Sequence, residues 1–112
     1  MNANKPQIVE IGETNFKSEV LESKRPVLVA FLASWSRPCY IIGPVLDEVS
    51  AARADGVKVV KVNADDNPGL GMTYEIHSIP TLLCFLDGRE RARIVGTASK
   101  AAILATLQPL MG

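Results

Sequence analysis

Six consecutive apolar residues, Val27-Leu28-Val29-Ala30-Phe31-Leu32, offer no polar face to water. A strand sends alternate side chains to opposite sides, so an unbroken run suits a central strand covered on both faces. Even extended to Ala33 it is far too short to cross a bilayer, which takes ~20 residues. The chain must therefore supply a layer on each side of this strand.

The flanking segments read as that cover. Gln7–Glu10 is a short strand candidate, and Val57–Asn63 and Thr81–Leu86 are further strands. Asp87-Gly88 tolerates the positive φ of a two-residue hairpin turn, so Arg89–Val95 returns as the fifth strand. Thr14 and Asn15 can start a helix with Phe16, Val20 and Leu21 as its buried stripe, stopped by Lys24-Arg25-Pro26. A second helix starts near Pro38, repeats Ile41, Ile42, Val45, Leu46 and Val49 at the helical period, and ends by Gly56. Pro44 should kink it. Pro68–Tyr74 is a short helix weakened by Gly69 and Gly71. Ser99 caps a last amphipathic helix bearing Ile103, Leu104, Leu107 and Leu110. The order βαβαβαββα predicts an α/β fold, a mixed five-stranded sheet with helices on both faces. With 112 residues, 47% of them hydrophobic, residues 1–112 form one domain with a real core.

Composition excludes several functions. Twelve basic and twelve acidic residues cancel, which argues against nucleic acid or an anionic membrane as partner. The segment Met1–Gln7 lacks the apolar core of a secretory signal, so a cytoplasmic location is expected. Two cysteines and one histidine, His77, are too few for a structural metal, and no metal or cofactor is expected. Cys84 reads as core filling within its strand. It lies roughly 13 Å along that strand from Pro80, too far to bridge to Cys39.

Several separate motifs, in order, resemble the thioredoxin family. Ala33-Ser34-Trp35-Ser36-Arg37-Pro38-Cys39 is similar to the family's active-site segment, usually Trp-Cys-Gly-Pro-Cys. Pro44-Val45-Leu46-Asp47-Glu48 resembles its second helix, and Lys61–Asp65 its third strand. Ile79-Pro80-Thr81 resembles the loop with its cis-proline, and Val95-Gly96-Thr97 the loop bordering its substrate groove. The likeness runs from about Ile8 to Leu110 and implies the thioredoxin fold. Ser36 stands where the family has its first cysteine, Ala30 where a buried aspartate is common, and Arg37 where glycine is common.

Thiol–disulfide exchange requires a thiolate to attack a disulfide sulfur. The resemblance gives that task to the first cysteine, at a helix N-terminus, and resolution to the second. Serine forms no disulfide, and it is a nucleophile only beside a general base. The sequence does not place His77 beside Ser36, so a hydrolase is disfavoured. The expected role of Ser36 is an N-cap whose hydroxyl accepts from the N–H of Cys39 and leaves a polar, redox-inert surface. Cys39 is either a shielded structural thiol or a lone functional thiol open to glutathionylation or a mixed disulfide. Ala30 fits a site that no longer needs a buried proton acceptor, since a lone buried carboxylate costs stability. Lys61 then points to solvent or pairs with a nearby acid.

The resemblance also implies a groove for extended polypeptide, formed by Trp35, Ile76, Ile79, Pro80, Val95 and Gly96. Arg89, Arg91 and Arg93 alternate, so they should share one face of an edge strand and guard it against edge pairing. His77 is expected to be solvated. The leading expectation is a thioredoxin-like protein without dithiol reductase turnover, a monomer that binds protein or peptide clients or acts through Cys39. The competing expectation is an active protein-disulfide oxidoreductase of cell redox homeostasis, seen as a variant with Ser36 in place of cysteine.

Overall fold

The computed structural model describes residues 8–54 and 56–111. Five strands form one sheet in the order β1-β3-β2-β4-β5. They are β1 (Val9–Ile11), β2 (Val27–Leu32), β3 (Lys58–Asn63), β4 (Thr81–Leu86) and β5 (Arg89–Val95). The apolar run is β2, at the centre. It pairs in parallel with β3 and antiparallel with β4, so Ala30 faces Lys61 on one side and Leu82 on the other. β1 is parallel to β3 and β5 antiparallel to β4.

Both faces of the sheet are covered. Helix α1 (Arg37–Ala52) and helix α3 (Lys100–Leu107) bury Ile42, Leu46, Ile103 and Leu107 against Leu28 and Leu82. On the other face, Val20 of a π-helical turn (Lys17–Leu21), Phe16 just before it and Leu70 of α2 (Pro68–Thr73) pack with Phe31 and Phe85. The result is a mixed five-stranded α/β sheet with a covering layer on each face, as the apolar run demanded.

Ser99 Oγ accepts the N–H of Ala102 at 3.1 Å, so the expected cap of α3 is made. At the hairpin, Asp87 and Gly88 both hold positive φ (55° and 78°), the conformation their types favour. Helix α1 continues through Pro44 to Ala52, with Arg53 as its C-cap ahead of Gly56.

Some boundaries differ from expectation. The first strand lies at Val9–Ile11, and Gln7, with the Met1–Gln7 segment, lies outside the described residues. The first helix shrinks to the five-residue π-helical turn, in which Glu22 N–H reaches Lys17 O at 2.9 Å. Leu110 falls beyond α3, in a 3-10 turn over Gln108–Met111.

The arginine stripe is broken. A bulge between Cys84 and Phe85 sets Ala92 opposite Cys84 but Glu90 opposite Phe85, leaving Arg91 as the additional residue. Arg89 therefore shares a face with Ala92, while Arg93 shares the opposite face with Glu90. One inserted residue reverses the alternation, which side-chain types alone did not reveal.

Candidate functional site

The segment between β2 and α1 is a tight turn closed by backbone bonds. Ser36 N–H donates to Ala33 O at 3.2 Å, and Cys39 N–H donates to Ser36 O at 3.1 Å. Ser36 is the N-cap residue of α1, with Arg37 and Pro38 in the exposed first turn. The expected hydroxyl cap is not formed: the Ser36 side chain makes no capping bond. Nor does Ser36 present a polar surface, since the residue is 4% exposed. The backbone carbonyl has taken the N–H that the hydroxyl was expected to hold.

Cys39 is 8% exposed, and its Sγ accepts the Ala33 N–H at 3.4 Å. Cys84 is fully buried in the middle of β4, opposite Leu28 and Ala92. Both cysteines are free thiols. Burial, and secondarily the Glu90 carboxylate, push the Cys84 thiol up to about 11.

Trp35 stands out at 69% exposed, its Nε1–H donating to Asp65 Oδ2 at 2.9 Å. That bond fixes the indole over an open groove of about 730 Å³. Its walls include Met72, Ile76, His77 and Ile79. The Ile79–Pro80 peptide bond is cis, and Pro80 O accepts the Gly96 N–H at 2.8 Å. Gly96 has φ of 92°, and Val95 beside it is 61% exposed. Trp35, Ile76 and Ile79 thus line one concavity, whereas Pro80, Val95 and Gly96 form a backbone edge outside its walls.

Two supports of the groove were missed in the sequence. An aromatic cluster anchors the wall: Tyr74 lies 5.4 Å from both Phe16 and Phe85 between ring centroids. Arg93 then ties β5 to the end of α2, donating to Tyr74 O at 2.7 Å and to Glu75 O at 3.3 Å while gripping Glu90. The Tyr74–Phe16 pairing spans 58 positions of chain, so no local pattern announces it. Asp65 was legible only as part of the third-strand motif.

A second cavity, of about 290 Å³, lies on the α1 face of the sheet. Glu10, Leu32, Ala33, Cys39, Tyr40 and Lys61 contribute to its walls. Lys61 is half-buried there and makes no ion pair among the described residues.

The family model described as Thioredoxin matches residues 7–109. The chain belongs to the thioredoxin family. It is 47% identical over 97 residues to Thioredoxin 1 of Synechococcus elongatus, covering 87% of this chain and 91% of that one. It is 38% identical over 110 residues to a thioredoxin of Mycobacterium bovis, covering 98% and 95%. A chloroplastic M-type thioredoxin of Chlamydomonas reinhardtii is 43% identical over 98 residues, 88% of this chain and 70% of that protein. Within this thioredoxin-family chain, no described helix is long and apolar enough to cross a membrane.

Proposed function

We propose that this chain is a protein-binding member of the thioredoxin family that lacks dithiol reductase turnover. It holds extended polypeptide clients between Trp35, Ile76 and Ile79 and the backbone edge at Pro80, Val95 and Gly96, as a monomer in the cytoplasm. Cys39 is its lone thiol at the α1 mouth.

One observation carries the reading. Of the chain's two cysteines, Cys39 lies at the start of α1 and Cys84 is sealed in the sheet, so Ser36 leaves no second sulfur at the site. A dithiol cycle needs one thiol to attack and a neighbouring thiol to release the client. A hydroxyl does neither, and no base is bonded to Ser36 Oγ among the described residues. Ala30 adds support, because β2 carries a buried methyl at the position where the resemblance expects a buried aspartate.

Insulin reduction tests the proposal. The chain with Ser36 is expected to show no turnover, and Ser36→Cys partial turnover, since Ala30 still offers no proton acceptor. Substantial turnover by the Ser36 chain overturns it. The plain thioredoxin names of the relatives favour a second reading, an active protein-disulfide oxidoreductase in which cysteine belongs at position 36. A cysteine codon at position 36 in the natural gene would establish that reading instead.

A further inference from the structure

The Trp35 groove takes polypeptide, but Cys39 is not among its walls. Cys39 borders the other cavity, beneath the first turn of α1. There its Sγ lies against the N–H of Ala33, another wall residue. At about 290 Å³ this space falls at the lower edge of the ~300–1,000 Å³ usual for small-molecule sites. It suits an amino-acid-sized group better than a chain.

Its polar walls have a definite chemistry. Glu10 and Lys61 are directly opposite on the parallel strands β1 and β3, in one row with Ala30. Opposite charges so placed would ordinarily close on each other. Here no ion pair joins them among the described residues, and both border the cavity. A carboxylate and an ammonium, side by side and not joined to each other, match the ammonium and carboxylate of an α-amino acid. Ala30 contributes only a methyl to this row, so nothing charged competes with the pair from β2.

We infer that this cavity is a binding and modification site for a zwitterionic low-molecular-weight disulfide of the amino-acid type, which couples to Cys39. Lys61 takes the ligand's carboxylate and Glu10 its ammonium, bringing the disulfide to Sγ. Cys39 loses its proton and its sulfur attacks the nearer ligand sulfur. The ligand S–S bond breaks as the new S–S bond forms, and the departing thiolate takes up a proton. Cys39 is oxidised, the released half is reduced, and no further oxidant is needed. This inference rests on the proposed reading of Cys39 as a lone thiol. With no neighbouring sulfur to expel it, the adduct persists.

The probe is cystine, set against neutral hydroxyethyl disulfide, with the adduct located by peptide mass mapping of the native protein. The expected result is one half-cystine on Cys39. Lys61→Met should slow cystine about fivefold, as loss of one partly exposed charge contact does, and leave the neutral disulfide unchanged. Lys61→Gln repeats the comparison should the methionine variant fail to fold. Leu32→Phe, which fills the cavity, should slow both reagents without weakening client binding. Equal slowing of both disulfides by the Lys61 variants, no slowing at all, or labelling no faster than global unfolding overturns the inference. Insulin turnover plays no part in these readings, so the two proposals fail separately.

Discussion

The first turn of α1 and the middle of β4 each carry one cysteine, and they give the same side chain opposite surroundings. Cys84 is closed in by strands on both sides and by α1 and α3 above, with no exposure at all. Cys39 sits at an element boundary, 8% exposed, its sulfur bonded to a backbone N–H and beside open space. A thiol in a strand interior is filling. A thiol where a strand gives way to a helix has backbone donors and solvent within reach, so chemistry has access to it.

Three measurements press on that contrast. The largest effect is expected in alkylation of the native protein followed by site mapping. Cys84 should react only through unfolding, at least ~10³-fold more slowly than in denaturant. Cys39 should be slowed less, labelling more slowly than in denaturant but ahead of Cys84. Equal rates at the two sulfurs would erase the distinction.

The next effect is in pH dependence. The Cys84 thiol is raised from 9.0 to about 11 by burial, so folding favours its neutral form. The folded value lies above the unfolded one. The associated stability is therefore complete below about pH 9 and is lost as pH rises through about 11. The loss is on the order of 2 kcal/mol, measured by urea unfolding across that window. Cys84→Ala should flatten the curve by that amount.

The smallest effect sharpens the packing side. At neutral pH, Cys84→Ala should cost ~1 kcal/mol, because the sealed sheet cannot collapse onto the missing sulfur. Cys39→Ala should cost ~0.5 kcal/mol or less, because water in the adjacent cavity can accept the freed Ala33 N–H. Comparable losses at the two positions would mean that the α1 mouth is packed as tightly as the sheet.

What was legible in the chain is local and periodic. The apolar run of β2, the Asp87-Gly88 turn and the Ser99 cap each express a requirement met within a few residues. The ordered motifs from Trp35 to Gly96 carried the family. Boundaries were less legible: the first helix became a π-helical turn because tertiary packing of Phe16 and Val20 outweighed its weak periodicity.

The amino-acid order by itself determined a buried central strand, the placement of cover on both its faces, and the absence of sulfur at position 36, because composition and spacing act at short range. Tertiary contact alone decided that residue Ser36 would be buried without its side chain capping α1, that a bulge would turn Arg93 onto the α2 side, and that Glu10, Lys61 and Cys39 would share one cavity. These depend on strand register and on packing between segments tens of residues apart, and a side chain's neighbours across that distance exist only once the chain has folded.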